Sequence, residues 1–553
     1  MTAGPRVSTA LLVTKLLLLA AGLVLTNHKV LFKFDDLLQH HKFFPLAVFL
    51  GIWSLAITAL VYVAFTPRRI ERYFWTILIC FSTFTAESYF LITGDQITVL
   101  SLDAMWDPGL ISLSMVGFYS SQFLQAFLYT TLLFIGLIIP THPVRVASYR
   151  FNLLLPVLPV LLLGGLIVYV GATPSYETKG MPNQFLNLGL FPVFAVSKEK
   201  SFEKLEVEIS LARPPHSKHV VLIVDESISG DFIDLNQDRG TTPFLLSKAA
   251  SFANFGFATS ATNCSYSSNA ILRLGADPRR MGQADHNILD NPTIWKYANH
   301  AGFETNFIDV AHSSNRHRAF MYKNEIVLID HVFNETGGSR HKRDGKIARQ
   351  LIEILRRPNP QFVYVSKYGA HFPYHLAYPA SEEVFSPAMK EYESIADRQR
   401  LVNTYKNAVR WSVDGFFETL LTSINLSDTL IIYTSDHGQN LLDDGEPVTH
   451  CRRSGETIAE ALVPLLALTQ NEDLQTALKR AAAENLNLAS HFEIFPTLLN
   501  LFGYDPASVK TLYYQSLFEP IEQPLGFISG PVRGRFGWQP KWHSRDLLND
   551  FER

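Results

Sequence analysis

TLIIYTSDHGQ, residues 429–439, is an apolar run that turns polar at its end. A short β-branched run of this kind predicts a strand buried on both faces, the kind found in parallel sheets. HVVLIVDES (219–227) and QFVYVSKYGAH (361–371) have the same form, and FETNFIDV (303–310) adds a further strand. Helical patterns TTPFLLSKAASF, TIWKYANHAG and DGKIARQLIEIL lie between them, and FEIFPTLLNLFG follows the last. Strands alternating with helices predict an α/β domain whose largely parallel sheet is covered by helices on both faces. Residues 218–553 are assigned to it, enough chain to bury a core.

In open α/β sheets, ligands bind outside the carboxyl ends of the strands. There this sequence places Asp225-Glu226, His371 and Asp436-His437. Mixed carboxylate and imidazole donors suit zinc, with manganese possible; an all-oxygen shell would suit magnesium or calcium. NCSYSSNAILRLG (263–275) follows the strand-like SFANFGFATSA and opens a helix. Ser267 or Ser268 is expected at its N-terminus, where backbone N–H groups favour an anion. The plainer alternative is a serine that only caps the helix.

The N-terminal part has a different solvent. Nearly all long apolar runs lie in residues 1–172, read as a membrane domain. Spans are expected at about Thr9–Leu25, Phe44–Phe65, Tyr73–Ile92, Phe123–Ile139 and Leu153–Val170. Lys15 interrupts the first and is expected to snorkel. TPRRIERY (66–73) and THPVRVASYR (141–150) carry arginines, whereas Gly94–Gln122 has neither Lys nor Arg. By the positive-inside rule the arginine loops are cytoplasmic and everything after the fifth span is outside. Three lysines between His28 and Lys42 run mildly against the rule. Glu87 lies near the outer end of the third span, either functional or wetted at headgroup level. LISLSMVGFYSS (110–121), near Trp106 and Pro108, is expected on the membrane surface or as a plain loop. Residues 173–217 read as a linker. A net charge of −3 gives no reason to expect a nucleic-acid partner.

Taken together, SDHG at 435–438, IVDES, TTPFL at 241–245 and IFPTLLNLFG at 494–503 resemble the phosphoethanolamine transferases of the alkaline-phosphatase/sulfatase superfamily. The resemblance covers the whole plan, from membrane spans to catalytic domain. It implies a metal site of Glu226, Asp436, His437 and a hydroxyl nucleophile. The family's threonine stands four residues after a cysteine, which here gives Ser268 after Cys264. His371 and His450 match the family's further histidines, and Lys296 falls near a substrate-contact region. The resemblance implies one or two zinc ions, phosphatidylethanolamine as donor, and lipid A, core sugar or another envelope glycan as acceptor. It places the chain in a bacterial inner membrane with the catalytic domain in the periplasm.

Departures from the family are Asp225-Glu226-Ser227 in place of Gly-Glu-Thr, and few cysteines. Cys264 lacks the xPxR that a sulfatase needs for its formylglycine. Cys264 and Cys451 each lie close to a site residue, and a disulfide between them is a hypothesis suited to an oxidising compartment. Asp225 and His375 are read as bystanders, and Arg452-Arg453 as a solvated face or a phosphate contact. Other readings are a phosphoglycerol transferase, a phosphodiesterase or sulfatase-like hydrolase, and, ranked low, a non-catalytic membrane protein.

Overall fold

The computed structural model describes residues 9–545 apart from 100, 103–112, 141–154, 171–178, 198–203, 284–285, 310–320, 322, 335–336, 392, 444, 446–448, 453–455, 530–531 and 533–539. Arg145, Arg150, Trp106, Pro108 and Arg453 lie outside the described residues. The chain divides into two compact units, Met1–Glu199 and Lys200–Arg553.

The first unit is helical. Phe43–Phe65, Arg69–Thr93 and Ser120–Ile138 are long and apolar enough to cross a membrane. Thr9–Leu25 has 17 residues and continues, after a 62° bend, into Val30–Gln39. That second helix replaces the loop expected between His28 and Lys42, because VLFKFDDLLQ has its own amphipathic period. The fifth expected span is a 14-residue helix, Val157–Val170. Within 173–217, read as linker, Asn183–Ser197 is an apolar helix packed on its neighbours: Leu186 and Leu190 are buried.

Two polar residues of this unit behave differently from expectation. Lys15 does not snorkel: it is buried, and Nζ donates to Ala64 O at 2.6 Å and Ile139 O at 2.8 Å. Helix C-termini leave carbonyls unsatisfied and carry partial negative charge, and a buried ammonium answers both. Glu87 is not wetted: it is buried, and its Oε1 lies 2.8 Å from His28 Nε2.

The second unit is built on a seven-stranded sheet. Its strands are β1 (His219–Asp225), β2 (Phe252–Thr259), β3 (Glu304–Asp309), β4 (His331–Asn334), β5 (Gln361–Ser366), β6 (Thr429–Ser435) and β7 (Leu462–Leu468), in the order β2-β7-β6-β1-β5-β3-β4. Pairings are parallel except β6–β7 and β2–β7, so β7 alone runs against the rest. Every residue of β1, β6 and β7 is buried, as their continuous apolar runs require. On one face Val220, Leu222, Phe362 and Leu430 pack with Trp295, Leu498 and Phe502 of the covering helices. On the other, Phe417 stands edge-on to Tyr433, ring centres 5.0 Å apart.

Register brings the strand ends into line. In β1, Asp225 lies opposite Ser435 of β6, and Val224 opposite Ser366 of β5. Three neighbouring strands therefore end level with one another, and the polar residues beyond them meet.

Candidate metal and nucleophile site

Glu226, Asp436 and His437 are all buried, and their ligand atoms lie within 4.8 Å of one another. Backbone bonds tie the strand ends together: Asp436 N donates to Asp225 O at 2.9 Å, and Ala370 N to Glu226 O at 3.1 Å. Beyond β1 the chain turns sharply at Ser227, with φ of 63°, a conformation uncommon outside glycine. The turn is held from several sides. Ser227 N donates to Asp436 Oδ1 at 3.1 Å, Ser227 Oγ to Glu226 Oε1 at 2.8 Å, and the Tyr405 hydroxyl to Ser227 O at 2.7 Å.

The donor set fits a divalent metal. Asp436 Oδ2 is buried with no hydrogen-bond donor among the described residues, a costly state unless a cation meets it. His437 Nδ1 faces Gly438 O at 2.7 Å, and a carbonyl only accepts. Nδ1 therefore carries a proton, and Nε2 faces the carboxylates, where loss of its own proton would free the lone pair that a metal-ligating histidine uses. Nε2 lies 3.4 Å from Glu226 Oε1 and 3.7 Å from Asp436 Oδ2.

Charge at the site is polarised. Burial and the charge of Glu226 push the Asp436 carboxyl up to about 7. Burial also works against ionised Glu226, but the His437 hydrogen bond and the charges of His371, His437 and His450 outweigh it and hold this carboxyl well below the usual range. Burial lowers His437, yet Asp436 and Glu226 together raise it to about 9. Burial and the neighbouring His437 keep His450 well below the usual histidine value.

The hydroxyl at this cluster is Ser265. Its Oγ lies 3.0 Å from His437 Nε2 and donates to Glu226 Oε1 at 3.4 Å. Ser268, the expected nucleophile, points elsewhere. It is buried, its Oγ donates to Thr262 O at 2.9 Å, and it accepts from Thr262 N at 3.2 Å. The cause is where the helix begins. Cys264 is its N-cap and Ser265 its first residue, so the helix spans Ser265–Leu274. Ser268 N already donates to Cys264 O, the first bond of the helical ladder. Ser267 is buried in the same first turn.

His450 stacks on His437, ring centres 4.1 Å apart, and its Nδ1 lies 3.2 Å from the Gln439 amide. His371 stands on the loop after β5, stacked on Tyr368 at 5.5 Å, and its charge is felt by Glu226. Lys296 is not brought here: Nζ donates to Glu206 Oε1 at 2.7 Å and Leu205 O at 3.0 Å, which anchors the start of the second unit instead. Asp225 belongs to a buried ion pair with Lys367, Nζ to Oδ2 2.5 Å, and also accepts from the Tyr433 hydroxyl at 3.0 Å. Arg452 is not a solvated cation: it is buried against Glu460, Nε to Oε1 2.6 Å.

Cys264 and Cys451 form a disulfide, Cα atoms 4.6 Å apart, and Cys80 is free. Alkylation of the unfolded, unreduced chain is therefore expected to modify a single thiol, at Cys80, and reduction to expose all three cysteines. Equal mass shifts before and after reduction would refute the bridge.

Comparison with known proteins places these features in company. The family model described as Sulfatase matches residues 218–504. Phosphatidylethanolamine transferase Mcr-1 of Escherichia coli is 24% identical over 347 residues, 58% of this chain and 63% of its own length. The matched part is thus less than two thirds of that relative. The integral membrane protein lipooligosaccharide phosphoethanolamine transferase A (EptA) of Neisseria meningitidis shares the fold at a TM-score of 0.61 and 18% identity, over 91% of this chain and 97% of its own. The C-terminal periplasmic domain of EcEptC from Escherichia coli, in a complex with Zn, aligns at a TM-score of 0.50 and 16% identity, over 62% of this chain and 96% of its own.

Proposed function

This chain belongs to the sulfatase family, and from that premise we propose that it is a membrane-anchored phosphoethanolamine transferase working through a covalent phospho-serine at Ser265. The donor is phosphatidylethanolamine, and the acceptor is a hydroxyl of lipid A, core sugar or another envelope glycan. The catalytic unit lies in the periplasm and the helical unit in the inner membrane. The carrying observation is Ser265 Oγ held 3.0 Å from His437 Nε2, beside a cluster with an undonated carboxylate oxygen. The named activities of the relatives support the donor and the transferred group.

Glu226, Asp436, His437 and the Ser265 oxygen would hold the metal, which is zinc in this reading. Bound there, zinc supplies Lewis acidity that favours the serine alkoxide and offsets phosphoryl charge. The chain's own residues do the rest. Glu226 Oε1 accepts from the Ser265 hydroxyl and orients its oxygen, and the proton that Ser265 gives up passes to solvent. The Ser265 oxygen attacks phosphorus, the bond to the diacylglycerol oxygen breaks, and that oxygen leaves with a proton. His371 and His450 flank the cluster and hold the phosphoryl oxygens. An acceptor hydroxyl then attacks the same phosphorus, the Ser265 ester breaks, and the serine regains its proton, a ping-pong scheme.

The full chain in liposomes containing phosphatidylethanolamine should release diacylglycerol and show a phosphoethanolamine mass on the peptide carrying Ser265. Release with no covalent adduct, and water as the sole acceptor, would favour a hydrolase instead. Mass spectrometry of envelope glycolipids from cells with and without the gene identifies the acceptor, as the species that loses phosphoethanolamine.

A further inference from the structure

Ser265 and His450 come from segments far apart in sequence, and neither sits on the sheet. Ser265 is preceded by Asn263-Cys264, and His450 is followed by Cys451-Arg452. These two short stretches are stitched to each other. The disulfide joins Cys264 to Cys451. Cys451 N donates to Asn263 O at 2.8 Å, and Asn263 Nδ2 donates to Arg452 O at 2.7 Å.

One buried side chain closes the arrangement. The carboxylate of Glu460, wholly buried, accepts from Asn263 Nδ2 at 2.9 Å, Arg452 N at 3.1 Å and Arg452 Nε at 2.6 Å. Its main-chain carbonyl accepts from Gly438 N at 2.9 Å, next to the ligand His437. A single residue thus touches the segments that carry Ser265, His437 and His450.

The structure assigns Glu460 as a positioning residue for the transfer reaction: with Asn263, Arg452 and the Cys264–Cys451 bridge it clamps Ser265 and His450 at a fixed separation on either side of His437. The assignment rests on the reading of Ser265 as nucleophile. The physical reason is reach. His450 stacks on one side of the His437 ring, and Ser265 Oγ lies at its Nε2. Misplacement of a reacting group by about 1 Å costs up to ~10²-fold in rate. A buried carboxylate with four donors, the fourth being Thr457 N at 3.3 Å, backed by a covalent bridge, removes that freedom. Bridge and carboxylate act on the same two segments, so each limits what loss of the other can do.

The test uses the full chain in phosphatidylethanolamine liposomes, comparing wild type, Glu460→Gln and Asn263→Ala, each with and without dithiothreitol. It reads kcat and KM for diacylglycerol release, zinc per chain, and amide exchange at Ser268 and Cys451. Glu460→Gln is expected to lower kcat about 10- to 100-fold at unchanged KM and zinc content. Asn263→Ala should act in the same direction and by less. Reductant combined with Glu460→Gln should cost more than the product of the separate losses and speed exchange at both amides. Wild-type kcat in both variants under reductant, or kcat losses that track zinc loss, would overturn the clamp. A wild-type chain with no adduct on Ser265 would instead sink the nucleophile reading. The exchange rates would still judge the clamp, since unchanged protection in reduced Glu460→Gln refutes it whatever the activity.

Discussion

Ser265→Ala is expected to lower transfer by about 10³-fold or more, with zinc still bound, while Ser268→Ala keeps transfer within a few-fold of wild type. The contrast arises from where each hydroxyl points. Ser265 Oγ meets His437 and Glu226, whereas Ser268 Oγ is spent on the backbone of Thr262. On the proposed reading, removing Ser265 deletes the atom that forms the phosphoryl ester. Removing Ser268 leaves a buried Thr262 N–H without its acceptor, a stability cost of about 1–3 kcal/mol. The measurements are diacylglycerol release from phosphatidylethanolamine liposomes, zinc per chain, and melting temperature. Ser265→Thr keeps the hydroxyl and should recover part of the rate. An inactive Ser268→Ala with an active Ser265→Ala would return the role to Ser268.

Removal of the metal is expected to make stability fall as pH rises, and Asp436→Asn to flatten that slope, since the Asp436 charge also helps to raise His437. Asp436, pushed up to about 7 in the fold, ionises more readily when unfolded. Its contribution is harmless below the ordinary aspartate range and grows unfavourable as pH climbs towards 7, reaching on the order of 4 kcal/mol. His437, raised to about 9, has the same sign over a later window. Its proton stabilises the fold below its ordinary value, and that gain is lost as pH rises through 9. Glu226, held low, acts in the opposite sense, but only as pH falls below the usual carboxylate range. A chelator-treated chain should therefore melt several degrees lower at pH 8.5 than at pH 6. Zinc should restore most of the difference, because a cation meets both carboxylates and replaces the His437 proton. Asp436→Asn should lose the zinc response while melting higher than the metal-free wild type at pH 8.5. A metal-free melting temperature independent of pH would refute this account.

The contrast between Ser265 and Ser268 also shows what a sequence can and cannot carry. The sheet and the trio of Glu226, Asp436 and His437 were legible because both depend on the same local grammar. An apolar run fixes a buried strand, and the first polar residue after it must emerge at the strand's carboxyl end. Which serine hydroxyl meets that trio was not legible by counting from Cys264. That count presumes the family's usual cysteine environment, and here Cys264 pairs with Cys451 and caps the helix itself. Lys296 was misplaced for a related reason: an alignment puts a residue near a site, but Glu206 decides where its ammonium goes. Glu460 is locally legible only as the acidic end of the Thr457–Glu460 capping box. Its role exists only because residues 263, 438 and 452 converge on it in space.

The reversal of β7 has a consequence for how the rim of the sheet tolerates change. In an all-parallel sheet the rim above the carboxyl ends is made of segments departing from strands. Because β7 runs the other way, the chain returns to that rim at Glu460 and Ala461 before descending through the sheet. The stretch between β6 and β7 is thus an excursion with both feet on neighbouring strands, and it is pinched again where Asn440 N donates to Thr449 O at 2.8 Å. Lengthening a loop whose neck is already closed costs little, since closure entropy grows only logarithmically. An insertion beyond this neck is therefore expected to leave Glu226, Asp436 and His437 in place.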